Sequence, residues 1–290
     1  MILHELYESF LQERRFLKNC TAKTIHCYRQ AWDGFASFVS DVVSEDQIRP
    51  ALKSGVVAKM GAGKLKPTSI NVYVRAWNSF LGWGYKEDHF KNRIKPIELL
   101  KTHQKVVPTL TEAQVQRLIQ YKPLRHERRV HAMMCVILDT GLRVGECLRI
   151  ERRDVDLENF LLTVRHGKGN KERKVPISAI GRKILFRFMS QSNAPAYIFG
   201  TRTGTQVLQR NAERDLTALS KTLGFGKVYW HLLRHSFGTL FIRNGGNVAD
   251  LQRIMGHAAI TTTMLYVHNQ TEQFVVAHNT LSPLAKAAFR

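Results

Sequence analysis

Four short stretches gather the residues of this chain that could do chemistry. Thr140-Gly-Leu-Arg-Val-Gly-Glu146 follows an apolar run, and His166-Gly-Lys-Gly-Asn-Lys171 sets Lys168 between two glycines. His231-Leu-Leu-Arg-His235 brings two histidines and an arginine, and Met255-Gly-His-Ala-Ala-Ile-Thr-Thr-Thr-Met-Leu-Tyr266 ends on a tyrosine. Each residue also has a plain structural reading. Arg143 could be a surface charge beside Glu146, Lys168 a solubilising turn residue, His235 a satisfied structural histidine and Tyr266 a half-buried core residue. His231 and His235 stand four apart, as zinc ligands on a helix do, but Leu232 occupies the place of the glutamate in HExxH. Neither glycine-rich stretch has the GxxxxGK[ST] or GxGxxG spacing of a nucleotide site, and no carboxylate cluster suits Mg²⁺. Cys20, Cys27, Cys135 and Cys147 form no CxxC pair, so free thiols and no zinc site are expected.

Phosphoryl chemistry on these residues must therefore proceed without a cofactor, a nucleotide or a bound metal. Metal-free attack on a phosphodiester needs cations on the phosphorane oxygens, a nucleophile, and an acid for the leaving oxygen. Arginines suit the first task, since their planar forks donate to phosphate and keep their charge. Lysine and histidine suit proton transfer when neighbouring cations and burial bring their pKa toward neutrality. A tyrosine nucleophile would keep the energy of the broken bond in a new phosphodiester.

The charge of the chain agrees with a nucleic-acid substrate. Its 44 Lys and Arg against 23 Asp and Glu give a formal charge of +21. Residues 1–108 carry 17 basic and 10 acidic residues, or +7, leaving 27 and 13, or +14, for residues 109–290. An excess in both halves suits a folded surface that follows a polyanion. The longest apolar stretches are too short to span a bilayer. Met1 runs straight into a helical pattern with no signal-peptide profile, so the cytoplasm is the expected compartment and no membrane partner is expected.

The elements that must position these residues are mostly helices. Residues 1–94 read as a four-helix domain, with Thr21 and Ser44 as helix starts, Pro67 in a first turn, and an aromatic stripe through Tyr28, Trp32 and Phe35 read as core. Residues 95–108 lose periodicity and read as an interdomain linker. Thr111 and Gln114 form a capping-box signal at the start of a second domain, 109–290. Strands are expected at 160–165 and 172–177, paired as a hairpin with Lys168 at its tip. The fold class is mainly α with a small β-hairpin, an α+β arrangement.

In the order and spacing of these four stretches, residues 109–290 resemble the tyrosine recombinase, or phage-integrase, family. TGLRVGE resembles the family's first arginine motif, HLLRHSFGTLFIRNGG its His-x-x-Arg motif, and MGHAAITTTMLYVH its histidine and nucleophile motif, with Tyr266 nine residues after His257. Met255 stands for the usual Leu and Gly238 for a common Ala, both expected to lie clear of the catalytic positions. The resemblance implies Arg143, Lys168, His231, Arg234, His257 and Tyr266 as the catalytic set, with Glu146 and His235 supporting them. It implies cleavage and rejoining of double-stranded DNA sites through a 3′-phosphotyrosyl intermediate, with strand exchange through a Holliday junction. It also implies a DNA clamp formed by the N-terminal domain, and a homotetramer on two sites with docking by residues 271–290. Accessory DNA-bending proteins are further candidate partners. The alternatives are a type IB topoisomerase-like enzyme and a non-catalytic architectural DNA-binding protein.

Overall fold

In a computed structural model that describes residues 3–40, 42, 44–102, 107–165, 172–191 and 196–267, several helices begin at side-chain caps. The chain divides into two units, Met1–Lys105 and Val106–Arg290. The first holds α1 (Leu3–Phe16), α2 (Ala22–Val39), α3 (Glu45–Gly61) and α4 (Pro67–Lys86). Thr21 Oγ1 accepts from the Thr24 amide before α2, and Gln47 Oε1 accepts from the Ser44 amide before α3. Pro67 sits in the first turn of α4, where its missing amide costs no bond.

The aromatic stripe is core. The Tyr7 ring meets Phe10, Trp32, Trp77 and Phe80 at centroid distances of 4.9–5.6 Å. The polar tips are satisfied from within, Tyr7 Oη donating to the Tyr28 carbonyl at 2.9 Å and Trp77 Nε1 to that of Ala31 at 3.1 Å. The first residues after this bundle remain part of it. Asn78 on α4 pairs with both backbone groups of Ile97, and Asn71, two turns earlier, does the same with Leu100, at 2.8 and 2.9 Å in each case. Ile97 is buried against the same core.

The second unit holds α5 (Glu112–Gln120), α6 (Arg128–Thr140), α7 (Val144–Cys147), β1 (Val155–Asp156), β2 (Leu161–Val164), β3 (Arg173–Pro176), α8 (Ala179–Gln191), α9 (Gln209–Thr222), α10 (Trp230–Arg243), α11 (Val248–Met255) and α12 (Ile260–Met264). Thr111 and Gln114 cap α5 reciprocally. Eight consecutive residues of α6, Val130 to Ile137, are buried. A helix covered on all faces lies inside its unit, and α6 packs against α8, α9 and α10. The strands form an antiparallel sheet in the order β1-β2-β3, with Leu162 opposite both Val155 and Val175. Two residues carry no alternation, so β1 had no signal in the sequence. The expected strands β2 and β3 are present, while the turn with Lys168 and the expected docking segment 271–290 lie outside the described residues. Among the described residues no helix is long and apolar enough to cross a membrane.

Asn71 is buried, and Leu100 would keep two unpaired backbone groups if it were lost. We predict that Asn71→Leu lowers stability by roughly 1–3 kcal/mol and accelerates hydrogen exchange of the Leu100 amide. The Ile97 amide, held by Asn78, should stay protected. An unchanged Leu100 exchange rate and denaturation midpoint would contradict this account.

Candidate active site

Two helix ends supply the floor of the site. α6 ends at Gly141 and α11 at Gly256, each with φ of 64°, a left-handed cap that favours glycine. The last carbonyls at such ends have no intrahelical amide and carry the negative end of the helix dipole. Arg234, on α10 and only 2% exposed, lies between them. Its Nη1 donates to the Gly141 carbonyl, and its Nη2 to the Met255 carbonyl at 2.9 Å and to His257 Nε2 at 2.8 Å. Burial, then the neighbouring Arg143 charge, push its pKa down to about 10, so it stays cationic at neutral pH.

A second layer is built on Glu146, in α7. One carboxylate oxygen accepts from Arg143 Nη1 at 2.9 Å and the other from the Arg143 amide at 2.9 Å. From the opposite side, Arg173 at the start of β3 reaches the same two oxygens at 3.1 and 2.8 Å. The Arg173 Nε also donates to the Ile254 carbonyl of α11 at 3.1 Å. Burial pulls the Glu146 pKa up, but Arg173 and Arg143 outweigh it and bring it to about 2. Arg143 Nη2 lies 3.5 Å from the Gly256 carbonyl, which sets the two arginine layers side by side.

Tyr266 closes the site from above. Its ring lies parallel to that of His257 at 6.4 Å and tilted against His235 at 5.1 Å. Gly238 was expected to lie clear of the catalytic positions, but the structure corrects this. A Cβ added there would come within 2.7–2.9 Å of three Tyr266 ring atoms, so the bare backbone of α10 is the seat of the ring. Burial raises the Tyr266 pKa while Arg234 and Arg143 oppose the rise. His231 is exposed at the first turn of α10; the packing around its ring, then Arg234 and Arg143, hold its pKa below the ordinary histidine value. Burial and then His231 lower the His235 pKa, with the Val107 backbone opposing the shift.

Of the residues expected from sequence, Arg143, His231, Arg234, His257 and Tyr266 are brought together, with Glu146 and His235 beside them. Lys168 lies outside the described residues. Both ring nitrogens of His257 are engaged within the protein, Nε2 by Arg234 and Nδ1 by Thr263 at 2.9 Å. Sequence reasoning missed Arg173, Thr263 and the contact at Gly238. Strand alternation offered a signal for Arg173, which shares a face with the buried Val175.

Residues 108–273 match the family model described as the phage integrase family. The chain is 32% identical over 219 residues to a tyrosine recombinase XerC of Lacticaseibacillus casei, covering 70% of this chain and 72% of that protein. It is 29% identical over 277 residues to a tyrosine recombinase XerA of Saccharolobus solfataricus, covering 91% and 88%. The solved structure of the Tn1549 transposon integrase in complex with transposon right end DNA superposes with a TM-score of 0.76 over 96% of this chain and 98% of that one. At 19% identity this is a likeness of fold.

Arg173 ties β3, α7 and the end of α11 with one planar fork, which a lysine cannot reproduce. We predict that Arg173→Lys lowers stability by about 1–3 kcal/mol at neutral pH. The depressed Glu146 pKa contributes stability that is present above its ordinary value of 4.5 and is lost as pH falls toward about 2. The gap between wild type and variant should therefore close over that window in denaturation curves. A gap of constant size down to the acid limit would place the effect elsewhere.

Proposed function

The chain belongs to the phage integrase family, and on that premise we propose how its own residues cut and rejoin DNA. It is a site-specific tyrosine recombinase. The observation that carries the residue assignment is the charge count around Tyr266. Of three guanidiniums, Arg143 and Arg173 share one hydrogen-bonded carboxylate, Glu146, while Arg234 donates to two carbonyls and His257, which among the described residues leaves +2 (3 − 1). A scissile phosphate, which gains charge as it becomes a phosphorane, fits that surplus.

In the proposed mechanism Tyr266 Oη attacks the scissile phosphorus. Its proton passes to His231, which its neighbours keep neutral and which is exposed to hand the proton on. Arg143 and Arg234 bind the non-bridging oxygens. Arg234 has three of its five N–H groups on protein acceptors, which leaves donors for phosphate. The P–O5′ bond breaks as the P–O bond to Tyr266 forms, and Lys168 protonates the leaving 5′-oxygen. The 5′-hydroxyl of a partner strand then attacks the 3′-phosphotyrosyl bond and returns the proton. Repeated on a second pair of strands, this exchange passes through a Holliday junction.

The relatives are named recombinases, which favours exchange between two sites over the topoisomerase-like reading, and a built-up cationic site disfavours a purely architectural role. DNA is the partner, proposed to be double-stranded recombination sites; the transposon integrase of like fold is solved in complex with transposon right end DNA. The N-terminal unit, with the chain at Ile97 and Leu100 held on its bundle, is proposed to close on the duplex. A homotetramer on two sites, joined by residues 271–290 and assisted by DNA-bending proteins, is proposed for the assembly.

We predict that Tyr266→Phe binds a nicked recombination site normally and forms no SDS-resistant covalent adduct. A wild-type adduct yield with the Phe variant would falsify the assignment. Lys168→Ala should slow cleavage by about 10²–10⁴-fold, as for loss of a general acid. A 5′-bridging phosphorothioate, whose sulfur leaves without protonation, should recover most of that loss; no recovery would move the acid to Lys171 or Lys174.

A further inference from the structure

Arg234 and Thr263 hold His257 through its two ring nitrogens, and one protonation pattern satisfies both contacts. A guanidinium has donors and no acceptor. At 2.8 Å from Arg234 Nη2, His257 Nε2 therefore presents its lone pair. A neutral ring then carries its proton on Nδ1, which donates to Thr263 Oγ1 at 2.9 Å. The ring faces Arg234 and His231 from α10, Arg143 from the start of α7 and Arg173 from β3, with Tyr266 stacked alongside. Burial and then the Arg234, Arg143 and Arg173 charges push the His257 pKa down to about 4, in keeping with a neutral ring.

Thr263 is the inward residue of the Thr261-Thr262-Thr263 run: it is fully buried while the other two are exposed. Its carbonyl accepts from the Tyr266 amide at 3.0 Å. One residue thus touches the histidine through its side chain and the nucleophile's backbone through its main chain.

We propose that Thr263 is a positioning residue that anchors the Nδ1 edge of His257 in the Nδ1–H tautomer that Arg234 selects, so that the histidine acts by holding the Arg234 fork in place for phosphate. The hydrogen bond made by one ring nitrogen decides the role of the other. Without Thr263 the ring loses its anchor and the Nδ1 proton its acceptor, so the ring can turn and carry its proton on Nε2, which would set a donor toward Arg234 and expel its Nη2. This rests on the reading that Arg234 binds the scissile phosphate.

The test uses full-length protein labelled with ¹⁵N-histidine, with His257→Gln to assign the signal. In DNA-free wild type, two-bond ¹⁵N–¹H spectra should show His257 protonated on Nδ1. Thr263→Val, of equal volume and without the hydroxyl, should shift the proton wholly or partly to Nε2. It should also slow cleavage about 10–100-fold, the usual effect of removing a residue that orients a site ligand, with DNA affinity unchanged within about threefold. Thr263→Ser should restore both the tautomer and most of the rate. Wild-type protonation on Nε2 overturns the proposal whether or not any variant folds, and so does a Val variant that changes only one of tautomer and rate, or neither. The tautomer is read without DNA, so its failure is distinguishable from a failure of the Tyr266 assignment.

Discussion

The buried charge of Arg234 is the constraint around which the catalytic unit is arranged. A guanidinium taken from water costs several kcal/mol or more unless its donors find partners. Here the partners are the Gly141 and Met255 carbonyls at the ends of α6 and α11, with His257 as a third acceptor. That solution requires both helices to stop within reach of one side chain. It also requires left-handed caps at Gly141 and Gly256. A protonated His257 could not accept from Arg234, so the histidine must be neutral for the arginine to be held.

The same arrangement explains why Glu146 does not neutralise the site. One carboxylate shared between Arg143 and Arg173 orients both forks and leaves a surplus of positive charge for a phosphate to complete. The balance is an electrostatic one, prepared before substrate arrives. In a buried network of this kind each contact depends on the others, so the worth of one cannot be read from its deletion alone.

Much of this was legible in the sequence, for a physical reason. Groups that bind phosphate, move protons and attack phosphorus belong to few residue types, and their helices fix the spacing between them. Arg143, His231, Arg234, His257 and Tyr266 are named as a set by the resemblance of their motifs to the family, and the caps at Thr21, Ser44 and Thr111 by local pattern. The missed residues act through contacts between separate stretches of chain, which a local pattern hints at for Arg173 but does not identify. Arg173 meets Glu146 across 27 residues of chain. Thr263 looks like Thr261 and Thr262 until packing turns it inward. Gly238, noted as a departure from the family, matters for the space it leaves to a ring 28 residues further on.

α10 shows how tightly these parts are linked. His231, Arg234, His235 and Gly238 follow i, i+3, i+4, i+7 and so fall on one face of a single helix. The first is exposed, where the proposed mechanism has it take a proton, the second is buried, where it is proposed to hold a phosphate, and the third and fourth form the seat of the tyrosine ring. A register shift of one residue would turn this face by about 100° and remove all four at once. The position of the nucleophile is therefore not a separate design problem from that of the cations. Both are solved by the packing that holds α10 against α6, whose own end supplies the Gly141 carbonyl to Arg234.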